Sequence, residues 1–168
     1  LNPKFKFNLS LLAENYYLNG NYEKAKKTLK NFNKKDDFYY WFKIKKQAQL
    51  ISLELSDVEA LNFINVEFKK IKNPSISMLF DIANFNKNSE RYQNAINYYD
   101  KIILKIDLNS ILYPQILYRR GGSYERLGNY LKSDKDLLKS LEITPNDAYV
   151  LNYLAYSWLE RGHKVDRA

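Results

Sequence analysis

The chain of 168 residues has no cysteine and a single histidine. Without cysteine it can form neither a disulfide, a thiolate nucleophile nor a cysteine-based zinc site. One histidine excludes a multi-histidine metal centre, and His163 stands beside Gly162 in a turn, where solvent is its expected environment. There are five glycines and four prolines, so the places where they fall are informative as breakers. No apolar run approaches the roughly 18 to 20 residues that span a bilayer. Carboxylates such as Asp36, Asp37, Asp134 and Asp136 lie on turns or polar helix faces, with no histidine, cysteine or glycine-rich loop nearby to assemble a reactive centre. They are expected to be solvated. No enzymatic activity, cofactor or metal is expected.

Positive charge is in excess, at +8, with lysine far commoner than arginine. Such a balance suits nucleic acid, an anionic membrane or an acidic partner. Lysine, asparagine, isoleucine, tyrosine and phenylalanine are also over-used together, the bias of AT-rich coding sequence, and the charge is read here as background. The chain opens on LNPKFKFNLS, without an initiator methionine or a secretory signal, and closes on RGHKVDRA, which reads as the opening of a helix. It is expected to be a fragment of a longer protein.

What the sequence does contain is a repeat. NYYLNGNYEKAKKTL at 15–29 returns as SYERLGNYLKSDKDL at 123–137. Aligned on one small residue, Ala25, Ala60 and Ala95 are 35 apart, Ser133 follows after 38 and Ala168 after 35. A period in this range signals a stacked-repeat architecture. On a template of about 34 positions, position 4 reads Leu9, Ile44, Leu79, Leu117 and Leu151. Position 8 reads Ala13, Ala48, Ala83, Gly121 and Ala155, and position 11 reads Tyr16, Ile51, Asn86, Tyr124 and Trp158. These three positions form one stripe of a 3.6-residue helix. The small residue at position 8 allows a second helix to come close. That helix answers with Ala25, Ala60, Ala95 and Ser133, followed four residues on by Leu29, Ile64, Tyr99 and Leu137. Gly20, Gly128 and Gly162 suit left-handed helix ends. Ser56 and Glu59 have capping-box spacing. Pro74 and Pro145 mark unit ends, the latter followed by Asn146 and Asp147 as N-cap candidates.

This grammar resembles the tetratricopeptide repeat. Leu117, Gly121, Tyr124, Gly128, Tyr130, Ser133, Leu137 and Pro145 carry the likeness in the fourth unit. Leu9, Leu12, Ala13, Tyr16, Gly20, Tyr22 and Ala25 carry it in the first, and Leu79, Ile82, Ala83, Tyr92, Ala95 and Tyr99 in the third. The second unit departs at Gln47 and Asp57, and the fourth has Arg120 where leucine is usual. Pentatricopeptide repeats, which read RNA, share the period but lack the Gly-x-Tyr-x-x-Ala junction. The resemblance implies an all-α fold, a right-handed solenoid of stacked antiparallel helix hairpins, as one domain over 1–168. Four full repeats are expected at about 6–40, 41–75, 76–113 and 114–147, with a truncated fifth at 148–168 that leaves apolar surface bare. The run is similar to repeats of larger bacterial proteins, and a soluble protein of the bacterial cytoplasm or periplasm is expected.

In that family the first helix of each hairpin lines a concave groove. The groove positions here include Tyr17 and Glu14; Lys45, Lys46 and Gln49; Phe80, Asp81, Asn84 and Lys87; Tyr118, Arg119 and Glu125; and Tyr149, Asn152, Tyr153 and Tyr156. Of these, Tyr17, Lys45, Gln49, Phe80, Asn84, Tyr118, Arg119, Asn152, Tyr153 and Tyr156 are taken as the peptide-binding set. Aromatic surface beside amide and cationic groups suits an extended or helical peptide. The chaperone carboxylate clamp of some family members is not matched: Glu14, Gln49 and Asp81 stand at clamp positions, and Asp81 would repel a carboxylate. A peptide-binding scaffold is therefore the expected function. A nucleic-acid-binding solenoid and an accessory module of an outlying enzyme domain are the alternatives, and the scatter of lysine over both helices of every hairpin speaks against nucleic acid. Arg120 has two readings. It anchors an acidic partner group, or it is a buried or half-buried residue paired with a nearby carboxylate such as Glu125 or Asp134. In the insertion 107–113, Ile111, Leu112 and Tyr113 are expected to pack on the neighbouring hairpin.

Overall fold

The computed structural model describes residues 3–33 and 37–163. Among the described residues there are nine helices and no strand. They fall into two compact units, one ending at Pro74 and one beginning at Ser75. The first unit holds α1 (Pro3–Leu18), α2 (Tyr22–Leu29), α3 (Asp37–Glu54) and α4 (Asp57–Phe68). The second holds α5 (Ile76–Asn88), α6 (Tyr92–Ile103), α7 (Leu112–Arg126), α8 (Tyr130–Ile143) and α9 (Ala148–Glu160). Each of α1, α3, α5 and α7 packs on the helix that follows it, and α6 and α8 also pack on α7 and α9. This is the all-α, tetratricopeptide-like packing of hairpins that the resemblance implies.

Local chemistry sets the turns. Gly20, Gly128 and Gly162 have φ of 71°, 72° and 60°, the left-handed conformation that glycine adopts without a Cβ penalty. Each closes a helix with a paired hydrogen bond. Asn21 N donates to Tyr16 O (2.8 Å) and Gly20 N to Tyr17 O (3.1 Å), and the pattern recurs at Gly128–Asn129 and Gly162–His163. The α5–α6 turn has the same closure without the glycine: Arg91 N donates to Asn86 O (2.9 Å), and Glu90 takes φ 60°. A side chain in this conformation costs roughly 1–2 kcal/mol. Glu90→Gly should accordingly raise the stability of the second unit by about 1 kcal/mol, seen as a higher urea midpoint; an unchanged or lower midpoint would contradict this account of the turn. Ser56, Ser75 and Asp147 cap α4, α5 and α9, accepting from Glu59 N, Met78 N and both Tyr149 N and Val150 N.

Packing follows the small-residue stripes. Ala13, Ala48, Ala83 and Gly121 are buried on the first helices, and Ala25, Ala60, Ala95 and Ser133 on the second. At Gly121 the approach is closest: a Cβ there would lie 3.1 Å from Leu137 Cγ and 3.2 Å from Asp136 Cβ. The first unit's cluster of Ala13, Leu29, Phe32 and Leu50 is covered by Leu9, Tyr17, Tyr39 and Phe42. In the second unit Leu137, Val150, Leu154 and Trp158 form a cluster under Tyr118, Leu141 and Tyr153.

Several expectations need correction or restriction. α3 begins at Asp37 and so runs across the expected boundary at 40/41. In α9 the packed stripe is Val150, Leu154 and Trp158, whereas Leu151 is 47% exposed and Ala155 half-buried. The reason is that α9 turns the former stripe to α8, and no described helix covers the other. Ile111 is 83% exposed, and only Leu112 and Tyr113 are half-buried. Asp136 is buried rather than solvated, and Asp134 binds Arg161 Nη2 at 2.8 Å. Arg120 is the half-buried, carboxylate-paired residue of the second reading, but its partners are Asp136 and Asp100 rather than Glu125 or Asp134. It donates through Nε and Nη2 to both oxygens of Asp136 (2.7 and 2.8 Å) and through Nη1 to Asp100 (2.6 Å). Burial opposes its charge, but the hydrogen bonds and charges of Asp136 and Asp100 outweigh burial and hold its pKa above the ordinary value. Asp36 and Ala168 lie outside the described residues.

Candidate peptide-binding face

In the second unit α5, α7 and α9 present the groove positions, and side chains link these helices in turn. On α5, Asn84 lies four residues after Phe80 and therefore on the same face. Tyr99 of α6, fully buried, donates its hydroxyl to Asn84 Oδ1 at 2.7 Å. The same oxygen accepts from Arg119 Nη1 of α7 at 3.3 Å, and the guanidinium lies 5.2 Å from the centre of the Phe80 ring. Arg119 is thus held between an aromatic ring and an amide oxygen. Burial raises the Tyr99 phenol above its usual range while the Arg119 charge pulls the other way.

Between α7 and α9 the link is Tyr153. Its ring meets Tyr118 edge-on at 5.8 Å, and its hydroxyl donates to Glu125 Oε2 at 3.0 Å and reaches Gly122 O at 3.5 Å. Gly122 leaves room for it, since a Cβ there would stand 3.3 Å from the Tyr153 oxygen. Burial, followed by the charge and hydrogen bond of Glu125, raises the Tyr153 pKa. Beside it Glu125, Arg126, Asn152, Tyr153, Tyr156, Ser157 and Glu160 line an open pocket of 210 Å³. Asn152 and Tyr156 are exposed there.

The cations of this face differ in how they are neutralised. Lys87 is half-buried on α5, three residues after Asn84. Burial lowers its pKa, and the charges of Arg119 and Arg126 lower it further. Arg126, exposed at the end of α7, stands 3.8 Å from Glu125, and Glu160 also acts on it. Arg126 falls outside the groove positions of the repeat template; its spacing of seven from Arg119 is the signal that places it on the same helix face.

In the first unit the expected residues are differently employed. Tyr17 covers the core cluster, and burial, then Tyr22 and Glu14, raise its pKa. Lys46, which binds Glu14 at 2.6 Å, sits 4.7 Å from the centre of the Tyr17 ring. Lys45 lies 5.9 Å from the Trp41 ring centre, and Gln49 is exposed. An opening of 470 Å³ in this unit is lined instead by Lys30, Phe32, Tyr40, Lys43, Gln47 and Glu67 among others, beside α3 and α4. There Tyr40 donates to Glu67 Oε2 at 2.6 Å and Lys43 to Phe32 O at 3.1 Å.

Among the described residues, no group of three or more histidine, cysteine, aspartate or glutamate side chains could hold a metal ion. No described helix is long and apolar enough to cross a membrane. The chain matches none of the curated proteins with which it was compared. The sequence model of the tetratricopeptide repeat does match, at residues 76–104 and again at 114–147. These two segments of the second unit are thus similar to the tetratricopeptide repeat, a module that generally mediates protein–protein interaction and is typically non-catalytic.

Proposed function

We propose that the chain is a binding scaffold whose second unit holds a peptide segment of a protein partner across α5, α7 and α9. The observation that carries this reading is a pair of side-chain ties, Arg119 of α7 to Asn84 and Phe80 of α5 and Tyr153 of α9 to Tyr118 and Glu125 of α7, next to exposed Asn152 and Tyr156. Tyrosine and arginine fixed in place before binding lose little freedom when a partner arrives, and such residues dominate protein interfaces. Asn152 is free to bond a peptide backbone. Lys45 and Gln49 belong to the same proposal as groove residues of the first unit.

The test is selection of a displayed random dodecapeptide library on the chain. Affinities of enriched peptides would then be measured by fluorescence anisotropy. Asn152→Ala combined with Tyr156→Ala removes only exposed groups and should weaken these peptides about tenfold, the effect of losing about 1.4 kcal/mol. Equal affinity for the variant and the parent would place binding elsewhere and defeat the proposal. So would binding that nuclease treatment abolishes, since that is the behaviour of a contact made through nucleic acid.

A further inference from the structure

The α5–α7 part of this face carries positive charge that the protein leaves uncompensated. Asn84 and Lys87 are three residues apart on α5, and Arg119 and Arg126 seven apart on α7, so each pair shares a face. The Arg119–Asn84 hydrogen bond brings the two faces together. Among the described residues no carboxylate binds Lys87 or Arg119. Arg119 has Asn84 and the Phe80 ring, and the charges that bear on Lys87 are those of Arg119 and Arg126. The contrast with the next residue is sharp, for Arg120 is held by two carboxylates. The nearby acids are Asp81, nearly two turns before Lys87 on α5 and with an interaction of its own, and Glu125 and Glu160 at the α9 end. Glu125 is already taken by the Tyr153 hydroxyl, and both glutamates act on Arg126.

Cations gathered in this way repel one another, and partial burial weakens the screening that water would provide. An anion placed between them relieves the repulsion and gains charge-assisted hydrogen bonds. We propose that Lys87 and Arg119, with Arg126 at the rim, form a subsite that receives an aspartate or glutamate side chain of the bound peptide. This rests on the peptide-binding reading above and specifies the partner's chemistry. Arg119 has five N–H donors in a planar fork, and its one observed bond, from Nη1, leaves donors for a carboxylate. The Phe80 ring and the Asn84 bond restrain the guanidinium before the ligand arrives, and the Lys87 ammonium supplies a second charge. The Tyr118–Tyr153 pair on the far side of Arg119 offers apolar contact to a neighbouring residue of the same segment.

The experiment uses the peptides selected on the full chain. Enriched sequences should share an acidic position, and changing it to the amide (Glu→Gln or Asp→Asn) should weaken binding to the parent about tenfold. Against Lys87→Met/Arg119→Gln, the acidic peptide and its amide form should bind within about twofold of each other. Circular dichroism would verify that the variant is folded, and Lys87→Met alone replaces it if it is not. Enriched peptides with no common acidic position, or the same loss on both proteins, would overturn the subsite. Failure of the broader reading is separate: it shows as no enrichment at all, or as unchanged binding by Asn152→Ala/Tyr156→Ala. If that variant loses binding while the acidic position is immaterial, the groove stands and the anion subsite alone falls.

Discussion

Replacing Arg120 by alanine should destabilise the second unit by about 3–5 kcal/mol, the range for breaking a buried ion pair from one side. Arg120 and Asp136 expose only 19% and 7% of their side chains, so water cannot take over when the guanidinium is removed. The Asp136 carboxylate would keep its burial and lose both of its bonds from Arg120. The loss of Asp100 contributes less, because that carboxylate is 46% exposed and water can replace the arginine. A second variant separates this cost from the worth of the pair. Arg120→Leu with Asp136→Leu puts apolar groups at both places and should recover most of the loss, since a buried pair and a well-packed apolar pair are often nearly equal. Each unit has one tryptophan, Trp41 and Trp158. In a Trp41→Phe background, Trp158 fluorescence in urea reads the second unit alone. A shift below about 0.5 kcal/mol for Arg120→Ala, the size of an ordinary surface change, would mean that the pair is not buried as described.

Tyr99→Ala should be of similar size, about 3–5 kcal/mol, as for other large aromatic side chains removed from a core. Tyr99 is completely buried on α6, the helix that packs against both α5 and α7. Its ring occupies the place that leucine or isoleucine takes in the other hairpins, and its hydroxyl reaches through to Asn84. The cavity left by alanine would therefore open beneath the binding face. Tyr99→Phe keeps the ring and removes the bond, which should cost about 1 kcal/mol. The same urea titrations would show whether the two variants separate by the expected 2 kcal/mol or more; nearly equal losses would mean that the hydrogen bond, not the packing, holds α6 in place.

The proposed binding face follows in the sequence from helix period alone. Once Leu79 and Leu117 are set as core, Phe80 with Asn84 and Tyr118 with Arg119 fall beside them on the groove side. Arg126 escaped because it ends its helix, one position beyond the groove set. The dual role of Asn84, taking both Tyr99 and Arg119 on one oxygen, joins residues 15 and 35 positions away. No local pattern announces such a junction.

What the sequence determined by itself is local. Apolar spacing near 3.6, serine and aspartate caps, and glycine at the left-handed turns act within a few residues, and these dictate the helices and the hairpins they form. Even Glu90 obeys the pattern, adopting the glycine conformation because the surrounding closure demands it. Tertiary structure alone decided which charges meet. Arg120 found Asp136 and Asp100 rather than Glu125 or Asp134, and α9 turned Val150 rather than Leu151 into its core. The physical reason is that a long side chain can reach several carboxylates, and a helix can rotate through one residue without changing its own hydrogen bonds. The choice then rests on the rotation and stagger of neighbouring helices, set by the packing of distant surfaces.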